Sequence, residues 1–336
     1  LVEHTHRHPA SVPDGASLQP ALGDLQRLKA LGVVAQLDKA VGPPCRFPKQ
    51  VEHSGFYPLK RVHAPLTLAL HFKPSGDSLL SLRILVTGAS SFVGAHFCRV
   101  AARSHHVLGL HHQTPLGLSG VTPVRCDLRH PAAAERLAGL EVDLVVHLAC
   151  KVIGEGIEKT NRRWMDVVMS LERPVLYGSS TVVHWPDDTA YARVRREDEE
   201  RLAKSDLPWA VLRPCAPYGP RLREHQPRHT ESFQRLADWI KRFPYVPVPG
   251  DGNYRRQPVH VHDFSESALV LIEQGLPNRA FDAGGPEAMS FNTLVDKVGL
   301  AVGRQPVRKV HLPPAVFGLL GRVSGGFNPE LLAAVV

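Results

Sequence analysis

Residues Arg83-Ile84-Leu85-Val86-Thr87-Gly88-Ala89-Ser90-Ser91-Phe92-Val93-Gly94 constrain the fold of this chain more than any other stretch. A short apolar run reads as a buried parallel strand, and it stops abruptly at Gly88. Apolar residues then return at helical spacing through Phe92, Phe97, Val100 and Ala101. A strand that turns on glycine into a helix start leaves backbone N–H groups unpaired and a positive dipole end facing outward, which makes an anion site. Gly88 permits the tight turn, and Gly94 lets the helix lie close on the strand. Ser91 stands where such a loop often has a third glycine, and its small side chain still allows close approach of a ligand.

From Leu82 onward the pattern is strand–helix–strand alternation. Strands are expected at His106–Leu110, Val121–Cys126, Asp143–Leu148, Pro174–Tyr177 and Trp209–Leu212. Helices are expected after Pro131, over about Glu155–Leu171, and over Tyr191–Lys204. This alternation predicts an α/β fold, a doubly wound parallel sheet of Rossmann type with ligands at the carboxyl ends of its strands. Beyond Pro220 the order loosens into helices near Glu231–Arg242, Phe264–Gln274 and Phe291–Val302, with short strands near Val246 and Val259. Three regions follow: an N-terminal extension over 1–81 with little packing of its own, a ligand-binding domain over 82–220, and a smaller mixed segment over 221–336.

The extension is rich in His, Pro and Gly, with one helical pattern from Leu18 to about Val41. Its His4-x-His6-x-His8 triplet reads as a loose tail rather than a metal site. The chain begins at Leu rather than Met and ends just after Asn328-Pro329, which reads as a helix start. Both ends are therefore expected to be incomplete. Five scattered cysteines without C-x-x-C spacing disfavour disulfide and zinc readings and fit a reducing, cytoplasmic setting. No apolar run approaches the roughly 20 residues of a membrane span. The formal charge of +8 suits an anionic small molecule. No basic run interleaved with aromatics supports a nucleic-acid partner.

Several segments, in order, resemble the extended short-chain dehydrogenase/reductase family, which contains nucleotide-sugar epimerases and dehydratases. They are Thr87-Gly88 to Gly94, Asp127-Leu128-Arg129, His147-Leu148-Ala149-Cys150, Arg213-Pro214-Cys215-Ala216-Pro217-Tyr218-Gly219-Pro220, and Gly250-Asp251-Gly252 with Val259-His260-Val261-His262-Asp263. The resemblance implies a dinucleotide cofactor bound by Gly88, Ser90, Ser91, Phe92, Val93, Gly94, Asp127, Leu128, Leu148, Ala149, Cys150 and Pro214. It also implies a nucleotide-linked sugar as substrate, met by Thr181, Tyr218 and Arg256, and a homodimer paired through two sheet-flanking helices. At the end of the second strand an acid would hold the ribose hydroxyls and select NAD. His111-His112-Gln113 stands there instead, which favours NADP over NAD with His111 as a neighbour of the phosphate.

In this family the reactive Tyr is acidified by a Lys one helical turn later, and a Ser or Thr holds the substrate oxygen. Here Tyr191 has Arg195 in the Lys place, with Ser180 as the partner hydroxyl. The i,i+4 spacing is kept. Arg195 supplies permanent charge, but its planar fork is bulkier than an ammonium and would not place donors on the nicotinamide ribose in the same way. The expected activity is NAD(P)-dependent oxidoreduction or epimerisation by Tyr-assisted hydride transfer. A catalytically impaired cofactor-binding subunit or redox sensor is the alternative, and a reductase of small carbonyls is a third. Arg213 is expected to pair with a carboxylate under the sheet. His260 and His262 share one face of an expected strand, with no third metal ligand in view.

Overall fold

The computed structural model describes residues 81–186 and 188–313. Apart from Ser81, the expected N-terminal extension lies outside these residues, as do its helix and histidine triplet and the chain end from Asn328.

In chain order the elements begin β1 (Arg83–Thr87), α1 (Phe92–Ala101), β2 (His106–His111), β3 (Val121–Arg125), α2 (Ala133–Ala138) and β4 (Leu144–His147). They continue with α3 (Ile157–Met169), β5 (Val175–Gly178), a 3₁₀ turn (Thr181–His184), α4 (Ala190–Ala203) and β6 (Trp209–Pro214). The remainder is α5 (Ser232–Arg242), β7 (Tyr245–Pro249), β8 (Arg255–Arg256), α6 (Val261–Glu273), β9 (Pro277–Ala283), β10 (Met289–Ser290), α7 (Phe291–Ala301) and β11 (Arg308–Leu312).

Seven strands form one parallel sheet in the order β3-β2-β1-β4-β5-β6-β9. Its inner strands are apolar on both faces because helices cover both. Ile84, Val86, Leu144, Val146, Leu176, Ala210 and Leu212 pack on one side with Phe97, Phe264 and Ala268. Leu85, Val145, Val175, Tyr177 and Val211 pack on the other with Leu137, Met165, Val168 and Leu202. This is the strand period of two, read out as two cores. Three ion pairs lace α3 to α4: Arg162–Glu197, Arg193–Glu158 and Arg201–Asp166.

Past residue 220 the chain does not leave the sheet for good. β9 becomes its seventh strand, and α6 lies against α1 in the first core. The expected boundary at 220 therefore does not mark the end of the sheet. The remaining elements, α5, α7, β7 and β11, surround a separate small cluster of Ile240, Val246, Val248 and Val295. The strand expected near Val259 is absent. Tyr218 and His260 form a single bridge, and helix α6 starts at Val261, three residues earlier than the apolar spacing suggested. His260 caps that helix, its Nδ1 accepting from the His262 amide at 3.3 Å, so the two histidines do not share a strand face.

The first turn leaves no room for a side chain. A Cβ on Gly94 would stand 2.1 Å from the Gly88 carbonyl oxygen, whereas one on Gly139 would meet nothing nearer than 3.8 Å. Gly94→Ala is expected to lower unfolding free energy by about 3 kcal/mol, at the upper end of overpacking costs. Gly139→Ala should be close to neutral, and urea denaturation of both variants checks the difference.

Candidate active site

The site lies at the carboxyl edge of β1, β4, β5 and β6. Gly88 takes φ +68°, a left-handed value, and a Cβ there would stand 2.6 Å from the Ala149 amide nitrogen. The turn after β1 is thereby pressed onto the end of β4. Thr87 completes this junction. The Ala149 amide donates to Thr87 Oγ1 at 3.2 Å, and Thr87 Oγ1 lies 2.6 Å from His147 Nδ1. Burial, and then the charge of Arg195, push the His147 pKa down to about 3, so the ring is neutral at physiological pH.

Ser91 has a definite structural role. It is the N-cap of α1: its amide donates to the Gly88 carbonyl at 2.8 Å, and its Oγ accepts from the Gly94 amide at 3.0 Å. A serine cap satisfies one helix-start amide that a glycine would leave open. The amides of Phe92 and Val93 have no acceptor inside the helix, as at any helix start. Ser90 contributes its carbonyl oxygen, which accepts from His225 Nε2 at 2.9 Å. Residues Gly88, Ser90, Ser91, Phe92, Val93 and Gly94 therefore come together as one turn, with Leu148 and Ala149 beside them. Leu148 also lies against the end of β5, where a Cβ on Gly178 would stand 2.4 Å from Leu148 Cδ2.

At the far edge His111 ends β2 opposite Arg125 of β3. Its Nδ1 is buried without a partner, and burial followed by the charges of Arg125 and His112 holds its pKa down. Asp127 stands just past β3, but its carboxylate is already engaged. Arg129 donates to it from the backbone amide, from Nε at 3.0 Å and from Nη2 at 2.9 Å. Hydrogen bonding from Arg129 holds its pKa at about 2. Leu128 is buried behind it.

Tyr191 is the second residue of α4, whose N-cap Thr189 accepts from the Ala192 amide at 3.1 Å. Ser180 ends the strand-to-turn link after β5, and its Oγ accepts from the Val182 amide at 3.4 Å. Burial raises the Tyr191 pKa above its usual value of 10.0. The charge of Arg195 and hydrogen bonding from Arg195 and Ser180 oppose the rise without cancelling it. The Cys150 thiol is close enough to add to the same effect, which links the phenol to the β4 end against which Gly88 packs. Burial likewise raises the Cys150 pKa.

Arg195 is turned under the sheet edge. Its guanidinium carbon lies 5.1 Å from the Tyr191 ring centre and 5.3 Å from that of Tyr177. Nη1 donates to Tyr177 Oη at 2.8 Å and to the Gly178 carbonyl at 2.9 Å. Tyr177 passes the chain on, donating to Asp198 Oδ2 at 3.0 Å. Arg195 is 5% exposed and Asp198 2%, so a buried cation is balanced through a phenol by a buried carboxyl. A second network holds the neighbouring turn. Ser179 Oγ donates to Glu199, Arg213 donates to Glu199 and, at 3.3 Å, to Asp282, and His184 Nε2 lies 2.9 Å from Asp282. Arg213 thus pairs with carboxylates, as its position after a core strand suggested.

The remaining expected residues lie on several separate elements. Thr181 opens the 3₁₀ turn beside Ser180. Pro214 ends β6. Tyr218 is 37% exposed, packed against Phe233 and His260 at ring-centre distances of 5.7 and 5.2 Å. Arg256 lies over Trp185 at 5.2 Å and near Tyr254, and burial lowers its pKa. Among the described residues no cluster of His, Cys, Asp or Glu could hold a metal ion. Cys98, Cys126, Cys150 and Cys215 are free. No helix among those residues is long and apolar enough to cross a membrane. The sequence alone did not point to Tyr177, Asp198, Glu199 or Asp282. The signal for the first two was the i,i+3 spacing of Arg195 and Asp198 on α4, which needs the strand beside it to become meaningful.

A seven-stranded parallel sheet covered by helices on both faces, with a glycine-turned helix start at its centre, defines a Rossmann-type α/β protein. The profile of the NAD dependent epimerase/dehydratase family matches residues 84–172 and 186–284, and the chain belongs to that family. A dTDP-4-dehydro-6-deoxy-D-allose reductase from a Streptomyces species is 25% identical over 318 residues, covering 77% of this chain and 95% of that protein. The fold is shared with the Thermotoga maritima UDP-glucose 4-epimerase in complex with UDP-glucose, at TM-score 0.60 and 20% identity over 69% of this chain and 86% of that one. It is shared also with the Bacillus cereus UDP-glucuronic acid 4-epimerase in complex with NAD, at TM-score 0.57 and 20% identity over 69% and 86% of the two chains.

Asp198 offers a test of the buried network. Burial raises its pKa from 3.8 to about 6. Between those values the folded protein keeps a proton that the unfolded chain has lost, so the site's contribution to stability falls as pH rises from about 4 to 6 and is constant above. A difference of that size corresponds to about 3 kcal/mol. Asp198→Asn should remove this decline, so that the wild-type minus variant unfolding free energy drops between pH 4 and pH 7 in urea titrations. A difference that stayed level would mean Asp198 is ionised throughout.

Proposed function

We propose that this protein is an NAD(P)-dependent oxidoreductase or epimerase acting on a nucleotide-linked sugar, with Tyr191 and Ser180 as its catalytic residues. The observation that carries this reading is the junction of the Gly88 turn with Ala149, one residue from the Cys150 that neighbours the Tyr191 phenol. The turn suits a dinucleotide. Gly88 lets the turn lie directly on the Ala149 backbone, and the Phe92 and Val93 amides, without acceptors inside the helix, suit a pyrophosphate. A nicotinamide dinucleotide bound there supplies hydride exchange with the substrate carbon.

The chain's own residues then handle the oxygen. Ser180 orients it by a hydrogen bond, and Tyr191 gives or takes its proton. Because burial keeps the phenol protonated in the free protein, Tyr191 is set to donate, which suits reduction of a carbonyl. Arg195 acts on Tyr191 through its charge, from beneath the ring, while its Nη1 is committed to Tyr177 and Gly178. Thr181, Tyr218 and Arg256 border the substrate side, with Arg256 the cation for a diphosphate. The absence of an acid at His111-His112-Gln113 supports NADP over NAD. Pairing of two copies through two sheet-flanking helices is part of the same reading.

The inward turn of Arg195 favours one other reading, a cofactor-binding subunit that has lost turnover. Purified protein assayed with NADPH and a panel of nucleotide-linked 4-keto and 4-hydroxy sugars separates the two. Tyr191→Phe should reduce kcat by 10²–10⁴-fold, the usual span of a proton-transfer contribution, and leave cofactor affinity within about threefold. Ser180→Ala should fall in the same direction. If the wild type binds cofactor tightly and turns over none of the sugars, and Arg195→Lys is equally silent, the binding-subunit reading replaces the enzymatic one.

A further inference from the structure

The segment following Pro220 is strapped across the cofactor turn. His96 Nε2, on α1, lies 2.9 Å from the Pro220 carbonyl oxygen, and His225 Nε2 lies 2.9 Å from that of Ser90. Both nitrogens face a carbonyl, so each carries a proton and donates. Leu222 is buried in one cluster with Leu116 and Leu118 of the loop after β2. Glu224 reaches Arg99 of α1 at 3.7 Å. Pinned in this way, the strap brings Arg228 to the end of β2, where its Nη1 donates to Gln113 Oε1. Arg228 and Gln113 are both exposed, so this contact is not sealed from a ligand.

Fixed positive charge stands close by: Arg125 of β3 lies opposite His111 at the end of β2, and Arg129 follows β3. The Asp127 carboxylate lies 3.5 Å from His112 Nε2 and is held by Arg129. In a dinucleotide fold the end of the second strand is where the adenosine ribose presents its 2′ position. A guanidinium delivered there matches a phosphate better than a pair of hydroxyls, because its fork can bond two phosphate oxygens at once.

We propose that Arg228 determines cofactor choice by clamping the 2′-phosphate of NADP against Gln113 at the end of β2. The assignment rests on the preference for NADP proposed for the site, and it adds a residue about a hundred positions beyond the usual selectivity segment. Titrations of NADPH and NADH, followed by nicotinamide fluorescence, test both. The wild type should bind NADPH more tightly. Arg228→Ala should weaken NADPH by about 10- to 100-fold, the loss expected for a charge-assisted contact, and change NADH by less than about threefold. Gln113→Glu, which offers Arg228 a competing carboxylate and repels the phosphate, should shift the preference the same way. NADH binding in each variant serves as the control for folding. A wild type with no preference would overturn the NADP reading and Arg228 with it. A wild type that prefers NADPH, with an Arg228→Ala variant of unchanged preference, would overturn the role of Arg228 alone. Equal weakening of both cofactors would do so too, leaving only a strap that shapes the turn.

Discussion

The structure depends on a close approach of three backbone segments: the turn at Gly88, the first turn of α1 at Gly94, and the end of β4 at Ala149. No side chain fits at either glycine, since the distances a Cβ would find are below anything real atoms show. The Thr87 hydroxyl bridges the same strands, accepting from the Ala149 amide and lying 2.6 Å from His147 Nδ1. With β1 and β4 locked in this way, the sheet's carboxyl edge becomes a rigid floor. The helix-start amides, the Leu148–Cys150 wall and the Tyr191 phenol all take their positions from it. A binding edge built on packed strands is held more closely than one built on loops alone.

The second constraint is the burial of a charge that cannot be shed. Arginine stays protonated in any protein interior, so Arg195 needs compensation within reach. The fold provides Tyr177, the Gly178 carbonyl and Asp198, three groups from a strand and the next turn of the same helix. Removing one partner of such a set leaves a stranded charge, and that is costlier than never having built it. The arrangement also explains how an arginine can occupy this helix position without crowding the phenol. Its fork lies beneath the ring and is turned towards the strand.

Much of the architecture was legible in the chain because the strands of a doubly covered sheet are apolar without interruption. Ile84–Val86, Leu144–Val146 and Ala210–Leu212 announce themselves this way. β9 did not: it is an edge strand, Pro277–Ala283, mostly exposed, and its polar residues hide the pattern. The start of α6 was placed late because its capping residue is His260, whose ring takes a role usually read from Ser, Thr or Asp. The Ser91 substitution was visible as a departure from three glycines. Its cause, an N-cap to Gly94, became clear only from the turn's geometry. Asp127 stood where expected, yet two residues of local chain were enough to engage its carboxylate with Arg129.

The amino-acid sequence by itself determined the alternation of strands and helices, the glycine-marked turn, the spacing of Tyr191 from Arg195 and the absence of an acid after β2. Each is a local property, set by periodicity or by the conformational freedom of a single residue type. Only the tertiary structure decided that Arg195 faces Tyr177 and Asp198, that Glu199 and Asp282 share Arg213, and that the strap carries Arg228 to Gln113. These contacts join residues that the sheet order and the packing of α1 against α6 bring together. A side chain's direction follows from which partners are close enough to satisfy its charge, and chain spacing carries no record of that.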